Sequence, residues 1–134
     1  MEFHLGRTFD HVHLRVSDLE VSRRFYEAVL DALGRDVRTG DGYFASDELW
    51  VTADGPATSG LHLAFQAEGE DAVRRFHAAA LAAGGTDNGG PGERSYHPGY
   101  YAAYALDPDG NNVEAVYHGP ALRSSDSVVV RPID

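Results

Sequence analysis

The sequence predicts an α+β fold in which one βαβββ unit is used twice. Three observations carry that expectation. Residues 11–34 (HVHLRVSDLEVSRRFYEAVLDALG) align without a gap on residues 62–85 (HLAFQAEGEDAVRRFHAAALAAGG), and an internal repeat constrains the fold more than any local propensity. Each copy opens with apolar residues at every second position and continues with apolar residues at helical spacing. The second copy ends in Asp107-Pro108-Asp109-Gly110, a strong turn signal between two strand-like runs. One domain is expected over 1–134, made of module 1 (9–53), module 2 (60–118) and a C-terminal tail (119–134).

In the first copy, Val12, Leu14 and Val16 alternate with His11, His13 and Arg15, the pattern of a strand with one core face. Ser17 or Asp18 can cap the helix that follows, with Glu20 in its first turn. Leu19, Ser22, Tyr26, Val29 and Leu33 recur at helical spacing, and Gly34 ends the helix. Asp41-Gly42 then marks a turn before Tyr43-Phe44, and Leu49-Trp50-Val51 is the last strand of the module. Asp54 to Gly60 reads as a linker.

In the second copy, Leu63, Phe65 and Ala67 alternate with His62, Ala64 and Gln66. Ala72, Phe76, Ala79 and Ala83 mark the helix, which stops at Gly84-Gly85. The Gly/Pro-rich stretch 84–99 reads as a loop, and 100–106 and 112–118 as strands. If Asp107–Gly110 is a four-residue turn, Ala103 faces Glu114. Glu114 then shares a non-core face with Tyr101, Ala103 and Ala105. Tyr100, Ala102, Tyr104 and Leu106 would fall on the core face. Val128-Val129-Val130 in the tail reads as an extra edge strand or a contact between copies.

Composition narrows the chemistry. Hydrophobic residues make up 43% of the chain and charged residues 24%, the balance of a folded globular domain. There is no cysteine, which excludes disulfides, thiolate zinc sites and a thiol nucleophile. There is no lysine either, which excludes a lysine Schiff base and a P-loop lysine. The formal charge of −10 disfavours nucleic acid and anionic membranes as partners. No apolar run reaches membrane-span length, and the cytoplasm is the default location.

His11 and His62 open equivalent strands on the face opposite the apolar residues. Glu114 is a lone carboxylate on a non-core face with small alanines beside it. Two imidazoles and one carboxylate form a three-donor set for a divalent metal, and leave positions open for water and substrate. That set suits manganese, iron, nickel, cobalt or zinc. His13, Gln66 and Tyr101 share the inferred cleft face and are candidates for substrate contact or proton transfer. Trp50 is a candidate pocket wall, and His97 a candidate cap over the cleft.

The stretches 9–26 (FDHVHLRVSDLEVSRRFY), 60–85 and 96–118 (YHPGYYAAYALDPDGNNVEAVYH) resemble the glyoxalase/bleomycin-resistance/extradiol-dioxygenase group, the vicinal oxygen chelate superfamily. The resemblance implies eight strands curling round a central cleft, and a homodimer, sometimes with modules exchanged between subunits. It places metal ligation on His11, His62 and Glu114. Some members add a fourth ligand from the last strand of module 1, where this chain has Leu49, Trp50 and Val51. A three-ligand site is closer to the fosfomycin-resistance transferases and extradiol dioxygenases, although the former use a lysine that this chain lacks. The implied function is a metal-dependent lyase, isomerase, thiol transferase or dioxygenase acting on a small oxygen-rich substrate. In it Glu114 and His13 are catalytic, and Gln66, Tyr101, Trp50 and His97 touch substrate. The alternative is a metal-free protein that sequesters an antibiotic or metabolite.

Overall fold

The computed structural model describes residues 1–134. Eight strands and two helices run in the order β1 (Val12–Arg15), α1 (Leu19–Ala32), β2 (Arg38–Gly40), β3 (Tyr43–Ser46), β4 (Leu49–Thr52), β5 (His62–Gln66), α2 (Glu70–Ala82), β6 (Thr86–Glu93), β7 (Tyr101–Leu106) and β8 (Asn112–Tyr117). Each half is therefore βαβββ. The strands form two four-stranded mixed sheets of identical topology, β1-β4-β3-β2 and β5-β8-β7-β6. In each, the first strand lies parallel to the last and the other pairs are antiparallel.

The helix ends follow their sequence signals. The Asp18 carboxylate accepts from the Val21 backbone N–H at 3.0 Å and caps α1. At the other end Gly34 takes a positive φ of 74°. The Arg35 N–H reaches the Leu30 carbonyl and the Gly34 N–H reaches that of Asp31, a Schellman closure. The repeat alignment equates Gly34 with Gly85, but the left-handed cap of α2 is Gly84, φ 96°. Gly85 serves another end. A Cβ there would sit 2.7 Å from the Phe25 ring and 2.8 Å from the Ala80 carbonyl oxygen.

One core serves both modules. Leu14, Phe25, Val29, Phe44 and Val51 from the first half join Val73, Phe76, Ala103, Val113 and Ala115 from the second. The helices cover one face of each sheet and pack on each other. The opposite faces carry the polar alternates, so the repeat presents two equivalent half-sites.

Three expectations are corrected. First, 86–93 is a strand, not part of a loop. It is the edge strand of its sheet, where glycine and proline are tolerated, and its pairing with β7 carries register shifts around Gly89. Second, the β7–β8 turn is one residue longer than assumed. Leu106 pairs with Asn112 and Tyr104 with Glu114, because Asn111 stays in the turn and its carbonyl accepts from the Asp107 N–H at 2.8 Å. A one-residue change of register reverses every side chain of a strand. Tyr101, Ala103 and Ala105 therefore face the helices, and Tyr100, Ala102 and Tyr104 share the face of Glu114. Third, Val128–Val130 is not an edge strand: it joins neither sheet and is solvent-exposed.

Asn111 also fixes the start of module 2. Its side-chain oxygen accepts from the Leu61 N–H at 3.0 Å, and its amide donates to the Thr58 carbonyl at 2.9 Å. The linker is thereby clamped to the β7–β8 turn, one residue before His62.

Candidate active site

The parallel pairing of β5 with β8 sets His62 opposite Asn112 and Ala64 opposite Glu114. The small Ala64 leaves space across which the two functional groups meet. His62 Nε2 lies 2.8 Å from Glu114 Oε1, and the Tyr100 hydroxyl donates to Glu114 Oε2. Glu114 is 1% exposed, so both carboxylate oxygens are used and neither is free to water. The imidazole of His62 is about half exposed and stands at the open side of this pair. The Tyr104 ring lies 6.1 Å from that of His62, and the Arg94 guanidinium sits over Tyr104 at 5.3 Å.

Burial and the Glu114 carboxylate push the Tyr100 hydroxyl well above the usual phenol range, and Tyr104 is raised by the same two causes. Tyr26 is raised as well, by burial and by Asp107 beside it. All three are thereby biased toward the protonated, donating form. A raised folded-state value means that the native state holds a proton which the unfolded chain gives up. Stability is thus complete below the ordinary phenol value of about 10 and falls as pH rises beyond it. In an alkaline titration followed by phenolate absorbance, the contribution of Tyr26, Tyr100 and Tyr104 should appear only together with loss of the fold. Ionisation of these three in a native far-ultraviolet background would contradict the geometry.

The equivalent face of module 1 is differently equipped. His13 pairs with Trp50 across β1 and β4, just as Ala64 pairs with Glu114. Trp50 therefore occupies the pseudo-symmetric place of Glu114, and its ring stacks on Tyr43 at 4.2 Å. His11, His13, Trp50 and their neighbours Asp47, Glu48 and Leu49 line an open groove of about 320 Å³. The Thr52 hydroxyl donates to Asp54, so it accepts the N–H of His13 Nε2, 2.8 Å away. That contact leaves Nδ1 as the unprotonated nitrogen of a neutral His13. Asp54 is held below the usual carboxylate range, chiefly by the Thr52 hydroxyl and then by Arg15.

The chain thus brings together His62 and Glu114, but not His11. The His11 ring is exposed and turned to Asp10, at 2.6 Å, and no group of three potential metal ligands occurs within the chain. The reason lies in the topology: β1 and β5 belong to separate sheets, so the repeat relates the histidines without joining them. Gln66 lies on the Glu114 face, where its side chain accepts from Arg123 of the tail at 2.6 Å. Tyr101 lies on the helix side, and its hydroxyl accepts from Arg74 at 2.9 Å. His97 stands beside Tyr100, with ring centroids 5.3 Å apart. Tyr100, Tyr104 and Arg94 were missed from the sequence, and the correct turn length would have found both tyrosines.

Residues 8–115 match the family model described as the Glyoxalase/Bleomycin resistance protein/Dioxygenase superfamily. Among solved structures, the chain is similar to a glyoxalase/bleomycin resistance protein from Albidiferax ferrireducens T118. The identity is 37%, the match covers 81% of this chain and 96% of that one, and the TM-score is 0.69. A glyoxalase/bleomycin resistance protein/dioxygenase family enzyme from Burkholderia phytofirmans PsJN shares the fold at 21% identity, covering 80% and 95% of the two chains, with TM-score 0.62. A glyoxalase-related enzyme from Fulvimarina pelagi does so at 20% identity, covering 83% and 88%, with TM-score 0.62. No curated protein sequence matches. No helix is long and apolar enough to cross a membrane. The duplicated βαβββ architecture, the family match over most of its length and the likeness to the Albidiferax protein agree: the chain belongs to the glyoxalase/bleomycin resistance/dioxygenase superfamily.

Proposed function

We propose that this chain is a metal-dependent enzyme acting on a small oxygen-rich substrate, with His62 and Glu114 of one copy and His11 of the partner subunit as metal ligands. The observation that carries the reading is the buried Glu114 carboxylate in contact with the Nε2 of a half-exposed histidine. A carboxylate is seldom buried without a strong partner, and a neutral imidazole and a carboxylate are the hard-to-borderline donors that manganese, iron, nickel, cobalt and zinc accept. The donor set therefore fits such an ion as two of three ligands, and pseudo-symmetry supplies the third as the same histidine of the other module. When bound, the ion acts as a Lewis acid on substrate oxygens. Glu114 and its neighbours do the rest. Tyr100 orients the carboxylate, Tyr104 presents a hydroxyl whose proton is held more firmly than in a free phenol, and His13 holds an unprotonated nitrogen on the face that bears Trp50. Proton movement among such groups serves an isomerase, lyase, thiol-transfer or dioxygenase step.

Protein purified without a metal-affinity tag is expected to carry about one equivalent of metal per chain, read by elemental analysis, and a His62→Ala chain to carry none. Chelation should lower the melting temperature. An ion present at 100 times its Kd stabilises the native state by about 2.7 kcal/mol. A chain that takes up none of the five metals would end this reading. It would favour instead a sequestering protein, whose ligand stacks on the Trp50 side of the open groove and whose cationic groups suit the acidic chain.

A further inference from the structure

The segment His97-Pro98-Gly99-Tyr100 is a turn closed by the Tyr100 N–H on the His97 carbonyl at 3.2 Å. Pro98 takes its second position and Gly99, φ 87°, its third, the arrangement of a type II turn. This turn packs against the end of β8. A Cβ on Gly99 would sit 3.3 Å from the His118 carbonyl oxygen and 3.5 Å from Gly119 Cα. His118 continues the alternation of Asn112, Glu114 and Val116, so it emerges on the face of Glu114. The turn and the strand end bring two imidazoles together: His97 Nε2 lies 2.8 Å from His118 Nδ1. Their rings are within 19° of coplanar with centroids 5.1 Å apart. That spacing is the nitrogen contact plus one ring radius on each side, so the hydrogen bond runs in the plane of both rings.

The protons of this pair can be assigned. His97 Nδ1 lies 2.8 Å from the Pro98 carbonyl oxygen, which can only accept, so His97 carries its proton on Nδ1. Its Nε2 is then a lone pair in the neutral ring, and His118 must donate Nδ1–H to it. The remaining nitrogen, His118 Nε2, is an unprotonated lone pair. This is the logic by which a carboxylate orients a catalytic histidine, with an imidazole tied to a backbone carbonyl in the carboxylate's place. The Tyr100 ring packs edge-on against both imidazoles, and Tyr96 packs in turn on Tyr100. The Tyr100 hydroxyl in turn donates to Glu114.

The geometry points to His118 as the proton-accepting residue of this site, with His97 as the positioning residue that fixes its tautomer. The assignment rests on the enzyme reading above. A C–H or O–H bond of substrate breaks, its electron pair stays on the substrate, and the proton passes to His118 Nε2. The resulting imidazolium is stabilised through Nδ1–H by His97. The proton returns to the product in the closing half of an isomerisation or elimination.

The test uses the full chain labelled with ¹⁵N. Long-range proton–nitrogen spectra at neutral pH should show His97 and His118 both as Nδ1–H forms. In His97→Ala, His118 should revert to the Nε2–H form that an unconstrained histidine side chain prefers. Diethylpyrocarbonate, which attacks unprotonated imidazole nitrogen, should modify His118 in the wild type and lose that selectivity in His97→Ala. Gly99→Ala, which pushes the turn off β8, should give the same loss. His118 found as Nε2–H in the wild type, or unreactive there, overturns the assignment. Glu114→Gln separates the two ideas. It should abolish metal uptake and leave both tautomers unchanged, so failure of the metal site is read in the uptake and failure of the His97–His118 pair in the tautomers.

Discussion

Chains carrying His11→Ala and chains carrying Glu114→Ala should each bind no metal, and an equimolar mixture of the two should recover binding. In the proposed shared site, His11 comes from one copy and His62 with Glu114 from the other. In the mixed dimer, one site therefore combines both lesions and the second combines neither. Random exchange makes half of the dimers mixed, so about one quarter of the wild-type metal complement should return. Cobalt absorbance in the visible range reads this directly. The expected effect of each single change is large, because losing even an outer partner of a ligand costs roughly 10–100-fold in metal affinity, and here a ligand itself is removed. Recovery by mixing cannot occur if the three donors meet within one chain. Absence of recovery, with both variants folded and dimeric, would therefore exclude the shared site. The expectation follows from the separation seen in the chain. His62 and Glu114 are in contact, His11 is turned to Asp10 and solvent, and both polar sheet faces lie away from the common core. Mass action then links the ion to assembly, and chelation should weaken the dimer as well as lower the melting temperature.

The sequence made the architecture legible for a physical reason. The repeat doubles every signal, so the strand of 12–16 supports that of 63–67 and the helix after each supports the other. The cap at Gly34 was equally plain, and the N-cap was narrowed to Ser17 or Asp18, of which the structure uses Asp18. The β7–β8 register was not legible, because Asp107-Pro108-Asp109-Gly110 announces a turn without saying where it ends. Asn111 decides that through its side chain, which binds Thr58 and Leu61 some fifty residues away in the chain, a tertiary contact that no local pattern contains. The error carried directly into the site, exchanging Tyr101 for Tyr100 and Tyr104 as neighbours of Glu114. Strand β6 was hidden by composition: glycine and proline mark loops in general, yet an edge strand with bulges accepts both. The partnership of His97 and His118 also escaped notice, since it depends on a turn and a strand end that approach closely only because Gly99 and Gly119 have no side chains.

Asp107→Ala should remove about 4 kcal/mol of stability, a large share of the 5–15 kcal/mol typical of a domain. Asp107 is 5% exposed and ties α1 to the β7–β8 turn through three hydrogen bonds. Its Oδ2 accepts from the Tyr26 hydroxyl of α1 at 2.6 Å. Its Oδ1 accepts from the backbone N–H groups of Asp109 and Asn111, each at 2.9 Å. Alanine deletes all three contacts and leaves the Tyr26 hydroxyl unpaired in the core. Tyr26→Phe, which removes only the first, should cost less, about 1–2 kcal/mol. Asp107→Asn keeps an acceptor for the two turn N–H groups and should fall between wild type and alanine. Urea denaturation measures all three. The same loop carries the site, because Asn111 is held by Asp107 and in turn clamps the linker one residue before His62. Loosening the turn should therefore separate His62 from Glu114, and metal affinity should fall in the order of the stability losses even though no variant touches a ligand. A full-affinity Asp107→Ala chain would show that the β5–β8 ladder alone holds the pair, and that the turn supports the fold without setting the site.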